Sequence, residues 1–305
     1  MKTLSSFQSN ESFRLDCSGR VLDIAAKPAV MGIINLTPDS FFDGGTFGAE
    51  SAALDFDKAL DCALAMIDAG ASIIDVGGES TRPGSKQVSC REEISRTVPF
   101  ISMLRKKTDA VISIDTYKSD VAEKALMAGA GIVNDISGFM FDSKLPEVCR
   151  KHACCVVLMH TAHRPEKLKW SPETGSGSTD IIERVMNSLR YSIEIAKKHN
   201  ISGIVVDPGF GFGKSIHENF RLLGNLEKFH ELGYPLLAGV SRKSFLGEAV
   251  RKAGTPAPQP SERLTATVAA ETVALLNGAN ILRVHDVESA LQARAVVLTI
   301  RDACR

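Results

Sequence analysis

Met31-Gly-Ile-Ile-Asn-Leu-Thr-Pro-Asp-Ser-Phe-Phe-Asp-Gly-Gly45 carries an apolar strand into an asparagine, then into a polar, glycine-ending loop with two aspartates. A strand that stops on a polar group and hands over to a long loop is how an α/β barrel mounts chemistry on its C-terminal face. Outward from this stretch, short β-branched runs recur, giving eight strand candidates: 30–34, 72–76, 111–114, 131–133, 154–159, 203–206, 236–240 and 280–284. Most are apolar throughout, as parallel strands covered on both faces must be. Helical spacing succeeds them, as in Leu54, Leu60, Leu64 and Ile67, in Ile94, Val98, Ile101 and Leu104 behind a Ser89–Glu92 capping box, and in Ile181, Val185, Leu189 and Ile193. A weaker helix is expected near 145–151.

Three helices are predicted to end in Ala69-Gly-Ala, Ala128-Gly-Ala and Asn277-Gly-Ala, where glycine suits the left-handed closing position. Eight such alternations point to a single (β/α)8 TIM barrel, spanning 29–305, with a doubly wound sheet as the alternative. Residues 1–28 read as an extension carrying a hairpin, 13–16 and 21–24, placed under the barrel's bottom.

The chain has 305 residues, with 36 Lys plus Arg against 36 Asp plus Glu. That balance gives no global pull toward nucleic acid or an anionic membrane. Its seven cysteines show no metal spacing, which suits a reducing, cytoplasmic setting. The polar start lacks the apolar core of a signal peptide, and no run reaches the ~20 residues of a membrane span.

The strand exits carry the chemistry: Asn35, Asp75, Asp115, Asn134 with Asp135, His160, Asp207, Ser241-Arg-Lys243, and Arg283 with His285. Asn35, Asp115, Asn134 and Asp207 suit the amidine-like edge of a flat nitrogen heterocycle. Arg82, Lys243, Arg283 and His285 suit an anion, so the set predicts a heterocycle with a phosphorylated arm. Asp207-Pro-Gly-Phe-Gly-Phe-Gly-Lys214 fails both the Walker and the dinucleotide spacings. Its glycines read as a tight turn that brings backbone and Phe212 to a planar ligand. The histidines form no metal triad, and His160 with His163 reads as a polar loop pair.

With these residues in place, the chain resembles the dihydropteroate synthase family of folate biosynthesis. The resemblance rests on GIINLTPDSFFDGG, DVGGESTRPGS, SIDTYKSDVAEKAL, IVNDISG, VVLMH, VVDPGFGFGK, LLAGVSRKSFLG and ILRVHDV, from about residue 13 to the end. It implies a transferase that joins 6-hydroxymethyl-7,8-dihydropterin diphosphate to 4-aminobenzoate with Mg2+, that is inhibited by sulfonamides and that forms a homodimer. Carried over by position, Asp115, Asn134, Met159, Asp207, Phe212, Lys243 and Arg283 would hold the pterin. Asn35, Thr81, Arg82, Arg283 and His285 would hold diphosphate, with Asn35 on the metal. Phe41, Pro83, Lys243 and Ser244 would hold aminobenzoate. Asp115, Lys243, Asn35 and Arg283 form the implied catalytic set. A corrinoid-linked pterin methyltransferase and a non-catalytic pterin-binding paralogue are the alternatives. The fifth loop, from Thr161 through Trp170, departs from the family's Gly-Pro-Met-like run and is similar to the loop of sulfonamide-insensitive relatives. The ordinary Ser80-Thr-Arg-Pro-Gly-Ser loop points to ordinary sensitivity.

Overall fold

In the computed structural model, residues 13–24, 27–37, 54–80, 85–167 and 180–304 are described. Phe41, Thr81, Arg82 and Pro83 lie outside them, as does the fifth loop beyond Lys167. A hairpin, β1 (Arg14–Cys17) and β2 (Arg20–Asp23), precedes the barrel strands β3 (Ala29–Asn35), β4 (Ile73–Gly77), β5 (Val111–Asp115), β6 (Ile132–Asp135), β7 (Cys155–Met159), β8 (Ile204–Asp207), β9 (Leu237–Ala238) and β10 (Ile281–Val284). The helices are α1 (Phe56–Ala69), α2 (Cys90–Arg105), α3 (Ser119–Met127), α4 (Leu145–Lys151), α5 (Ile181–Lys198), α6 (Ile216–Leu223), α7 (Ser244–Ala249), α8 (Leu264–Leu276) and α9 (Val287–Ala303).

The eight strands run parallel in the order β8-β7-β6-β5-β4-β3-β10-β9. A parallel bridge between Val206 and Leu236, with the Val206 N–H donating to Pro235 O at 2.9 Å, joins the two ends of that series. A doubly wound sheet would keep two open edges, so closure decides for the barrel. β9 is shorter than the expected 236–240 because the chain turns away at Val240, whose carbonyl accepts the Lys243 N–H at 3.3 Å.

Alternation along each strand sorts the side chains. In β4, Ile74 and Val76 face the helices with Ile112, Ile114, Val133 and Val206. Ile73 points inward with Val111, Ile132, Val157, Val205 and Leu237, filling the lower barrel. The hairpin residues Leu15, Cys17, Leu22 and Ile24 join that inner cluster. Burying each of the larger ones contributes on the order of 1.5–3 kcal/mol. The hairpin approaches so closely that a Cβ on Gly131 would lie 2.5 Å from Cys17 O.

Local signals explain the helix ends. Gly70, Gly129 and Gly278 take φ of 117°, 115° and 92°, as the Gly-Ala repeat predicts. Ser89 caps α2 by accepting the Glu92 N–H, but the Glu92 side chain turns to Arg96, so half of the expected box forms. The full box appears at α6, between Ser215 and Glu218. No helix among the described residues is long and apolar enough to cross a membrane.

Candidate functional site

Above the apolar plug the inward positions turn polar. Asn35, Gly77, Asp115 and Asn134 are consecutive partners across β3, β4, β5 and β6, so they form one row inside the barrel. Gly77 leaves room in that row: a Cβ there would sit 3.4 Å from Asn35 Oδ1 and 3.7 Å from Asp115 Cβ. On β10, Arg283 is in register with Met31 of the lower plug, and strand stagger lifts it to the polar layer. Its Nε donates to Asp75 Oδ2 and its Nη2 to Asp115 Oδ2, each at 2.6 Å. Asn134 Nδ2 donates to the same Asp75 oxygen at 3.0 Å. Asp75 thus organises the floor, a role the sequence reading did not assign although an aspartate inside Ile-Ile-Asp-Val-Gly was its signal.

A cavity of about 540 Å3 opens over this floor. Of the expected site residues, Asn35, Asp115, Phe212, Lys243, Ser244, Arg283 and His285 line it. Asn134, Met159 and Asp207 are buried around it without forming its wall. Asp207 accepts the Gly209 N–H at 2.7 Å, and Met159 packs with Phe212, Tyr117 and Ile136. Thr37, Ser80, Ser241, Arg242 and Arg263 also line the cavity, and sequence reasoning gave them no individual role.

Charge in the cavity is set by burial and close neighbours. Burial pushes the Asp115 carboxyl up to about 7, against the opposing pull of Arg283. Burial would lower the Arg283 guanidinium, but Asp75 and Asp115 outweigh it and raise it. Burial and then the Arg283 charge bring the Lys243 amine down to about 8, with its Nζ 4.3 Å from the Phe212 ring centroid. Burial and the cations Arg283, Arg242 and Lys243 push His285 down to about 3, so its ring is neutral near pH 7. Its Nδ1 lies 3.0 Å from Ser241 Oγ, which also accepts the His285 backbone N–H. Asp115 Oδ1, Asp75 Oδ1 and Ser113 Oγ are buried without a hydrogen-bond partner among the described residues, and of these residues Asp115 lines the cavity, which leaves its oxygen as an acceptor for a ligand.

Some sequence-predicted features do other work. Asp135 turns away from the cavity and holds the loop after β6, accepting from Ser137 N and Oγ and from Phe139 N. His160 is buried, is pushed down to about 2 chiefly by burial, and does not line the cavity, whereas His163 is exposed. They do not act as a polar pair. Lys214 Nζ donates to the carbonyls of His160, Gly209 and Phe212 at 3.2, 2.6 and 3.2 Å. The lysine that gives the loop its phosphate-loop look therefore ties the loop to itself and to the exit of β7. The Glu79 carboxylate accepts from Val88 N, Tyr117 Oη and Lys118 Nζ at 2.7, 2.8 and 2.6 Å, while Lys118 Nζ also reaches Glu93 and Val88 O. This buried cluster joins the two stems of the segment that carries Thr81, Arg82 and Pro83. On the described stem of the fifth loop, Arg164 lies 4.5 Å from the Phe141 ring centroid.

A metal would have modest protein help. No group of three or more His, Cys, Asp or Glu among the described residues could hold one. The Asn35 oxygen beside the gap at Gly77 fits a hard cation such as Mg2+, which binds through few protein oxygens and shares itself with phosphate.

Known proteins are similar to this chain. The pterin binding enzyme family matches residues 31–285. A dihydropteroate synthase of Synechocystis sp. is 40% identical over 274 residues, 89% of this chain and 90% of its own length. Among solved structures, the Xanthomonas albilineans dihydropteroate synthase with 4-aminobenzoic acid superimposes with a TM-score of 0.82 at 38% identity, covering 96% of this chain and 98% of that one. The Yersinia pestis dihydropteroate synthase with a sulfonamide drug gives a TM-score of 0.82 at 37% identity, covering 95% and 100%.

Proposed function

This chain belongs to the pterin-binding enzyme family, and from that premise we infer that it catalyses the dihydropteroate synthase reaction. The amine of 4-aminobenzoate replaces diphosphate on the methylene of 6-hydroxymethyl-7,8-dihydropterin diphosphate. The C–O bond to diphosphate breaks, a C–N bond forms, the amine loses a proton, and 7,8-dihydropteroate and diphosphate leave. The observation that carries the reading is the meeting of Asn35, Asp115, Lys243, Arg283 and His285 on one cavity wall.

The nucleophile is a neutral aromatic amine, so no strong general base is needed; the barrier lies in departure of the anion. Asp115 Oδ1 is a buried free acceptor suited to a ring N–H. Phe212 of the cavity wall takes a face of the pterin and Lys243 an acceptor atom; Asn134, Asp207 and Met159, buried outside that wall, are assigned to its edge and other face by the family resemblance. As the C–O bond breaks, positive charge grows on the pterin side, where the Asp115 carboxylate offsets it. Negative charge grows on the diphosphate oxygens, toward Arg283 and His285. The Ser241 hydroxyl can donate to His285 Nδ1, which leaves the ring proton on Nε2 to donate to an oxygen. Thr81 and Arg82 complete the anion side in this reading. Asn35 would hold Mg2+, which would supply Lewis-acid neutralisation of the leaving group. These opposed charges favour a dissociative, SN1-like route.

Aminobenzoate sits near Lys243 and Ser244, with Phe41 and Pro83 assigned to its ring, and sulfonamides share that place. α7 has six residues, so the Ser244 hydroxyl matters more there than the helix dipole. The seven free thiols suit the proposed cytoplasmic setting. A homodimer is proposed through outer helices, where Val273 on α8 and Val296 on α9 are exposed.

Incorporation of labelled 4-aminobenzoate into pteroate, with and without Mg2+, tests the assignment. Metal-dependent product with stoichiometric diphosphate supports it; pterin binding without product points to a binding paralogue. Methyl transfer from methyltetrahydrofolate would point to the corrinoid-linked enzyme.

A further inference from the structure

Between two residues of the cavity wall, Ser241 and Lys243, stands an arginine in a backbone conformation that arginine seldom adopts. Arg242 has φ of 57°, in the left-handed region where a Cβ crowds the chain. Such a residue persists when its surroundings over-determine it, and three separate elements grip this one. Its N–H donates to Thr267 Oγ1 of α8 at 3.0 Å. Its carbonyl accepts from Arg263 Nη1 at 2.9 Å. Its guanidinium forks onto Asp286, at the start of α9, with Nε at 2.9 Å and Nη2 at 2.6 Å. Thr267 is 1% exposed and does not line the cavity, and neither does Asp286.

The path of the chain beyond Arg242 depends on that turn. Ser241 meets His285, and Lys243 lies over the Phe212 ring, from the two sides of one strained residue. If residue 242 relaxed to an ordinary φ, the chain would leave β9 in another direction and both side chains would be re-aimed.

We propose that Thr267 and Asp286 are positioning residues, which hold Arg242 left-handed and through it aim Ser241 and Lys243 into the cavity. The proposal rests on the reading of Lys243 as a substrate contact. It explains why a buried threonine hydroxyl and a two-pronged ion pair from outside the cavity converge on one residue of its wall.

Genetic coupling tests it. Thr267→Val keeps shape and removes the acceptor, and Asp286→Asn keeps shape and weakens the fork. Each is made with Arg242 and with Arg242→Gly, because glycine takes the left-handed turn without being held. With arginine at 242, Thr267→Val should lower kcat/KM for the pterin diphosphate by ~10- to 100-fold, the order expected from misaiming a group by about an ångström. In the Arg242→Gly background the same change should alter kcat/KM by less than about twofold. Thr267→Ser should restore the parent rate, and crystal structures of Thr267→Val should show residue 242 out of the left-handed region with Lys243 displaced from Phe212. Equal losses in both backgrounds, or an unchanged turn at 242 in the variant crystals, overturn the proposal. Should Thr267→Val fail to fold, Asp286→Asn in the two backgrounds decides by the same criteria. If the parent chain makes no dihydropteroate, the functional reading fails, while the crystal geometry of residue 242 and Lys243 still decides the positioning.

Discussion

Replacing Asp115 with asparagine should separate activity from stability. Asp115 Oδ2 accepts the Arg283 Nη2 bond at 2.6 Å, and Oδ1 is the buried acceptor assigned to the pterin ring. Hydrogen bonds to charged groups contribute ~1.5–3 kcal/mol and neutral ones ~0.5–1.5 kcal/mol, so weakening two of them costs roughly 3 kcal/mol in the transition state. At ~1.4 kcal/mol per tenfold, that is about two powers of ten in kcat/KM. Stability moves the other way. The carboxyl titrates at about 7 in the folded chain against 3.8 as its ordinary value, so the folded state binds more protons between those pH values. Stability is therefore lost as pH rises through that window, by up to roughly 4 kcal/mol, and the loss is fully present above about pH 7. Asparagine has no charge to desolvate, and Arg283 keeps Asp75. The variant should melt with the parent near pH 4 and at or above it at pH 8. Labelled-aminobenzoate turnover, calorimetry with diphosphate, and melting at the two pH values make the assay. Parallel losses of turnover and diphosphate affinity, or a melting point at pH 8 well below the parent, would refute the reasoning.

The pH dependence of kcat/KM should be a narrow bell, rising as Asp115 ionises through about 7 and falling as Lys243 loses its proton through about 8; a flat profile from about pH 6 to 9 contradicts it. Lys118→Met leaves Glu79 and Glu93 buried without their shared cation, which should cost ~3–5 kcal/mol and lower Tm by on the order of 10 °C; a shift under about 2 °C in a thermal melt counts against that account. Lys214→Met unties two carbonyls of the loop that carries Phe212 and its tie to His160 O past β7, so pterin affinity should fall by ~10-fold or more while diphosphate affinity holds. Selective loss of diphosphate binding would make Lys214 a phosphate ligand after all.

Much of the architecture was legible in the chain because it is written in local rules. Apolar runs of strand length, helical spacing between them and Gly-Ala helix ends placed most elements within a residue or two. Asp75 was legible only as a strand exit; which side of β4 it takes came from the fold, where it alternates with Ile74 and Val76 of the helix-facing core. Asn35, Asp115 and Lys243 were legible as site residues because a barrel gathers strand exits at one mouth. Long motifs added the substrate class. Other features depend on which way a side chain leaves its strand and what it meets there. Neighbouring Asn134 and Asp135 point to opposite sides of β6, so one joins the Asp75 floor and the other folds a loop. His160 and Lys214 look chemical in one dimension and are structural in three, because burial and nearby carbonyls claim them first.

Periodicity and motif thus determined the β/α alternation, its polar strand exits and its family, since each is a property of residues near one another in the chain. Tertiary structure alone decided that the sheet closes at Val206 and Leu236 and that Arg283 spans Asp75 and Asp115. It also decided that left-handed Arg242 meets groups from three other segments. Those are long-range contacts, set by strand stagger and packing, and no local pattern encodes the partner.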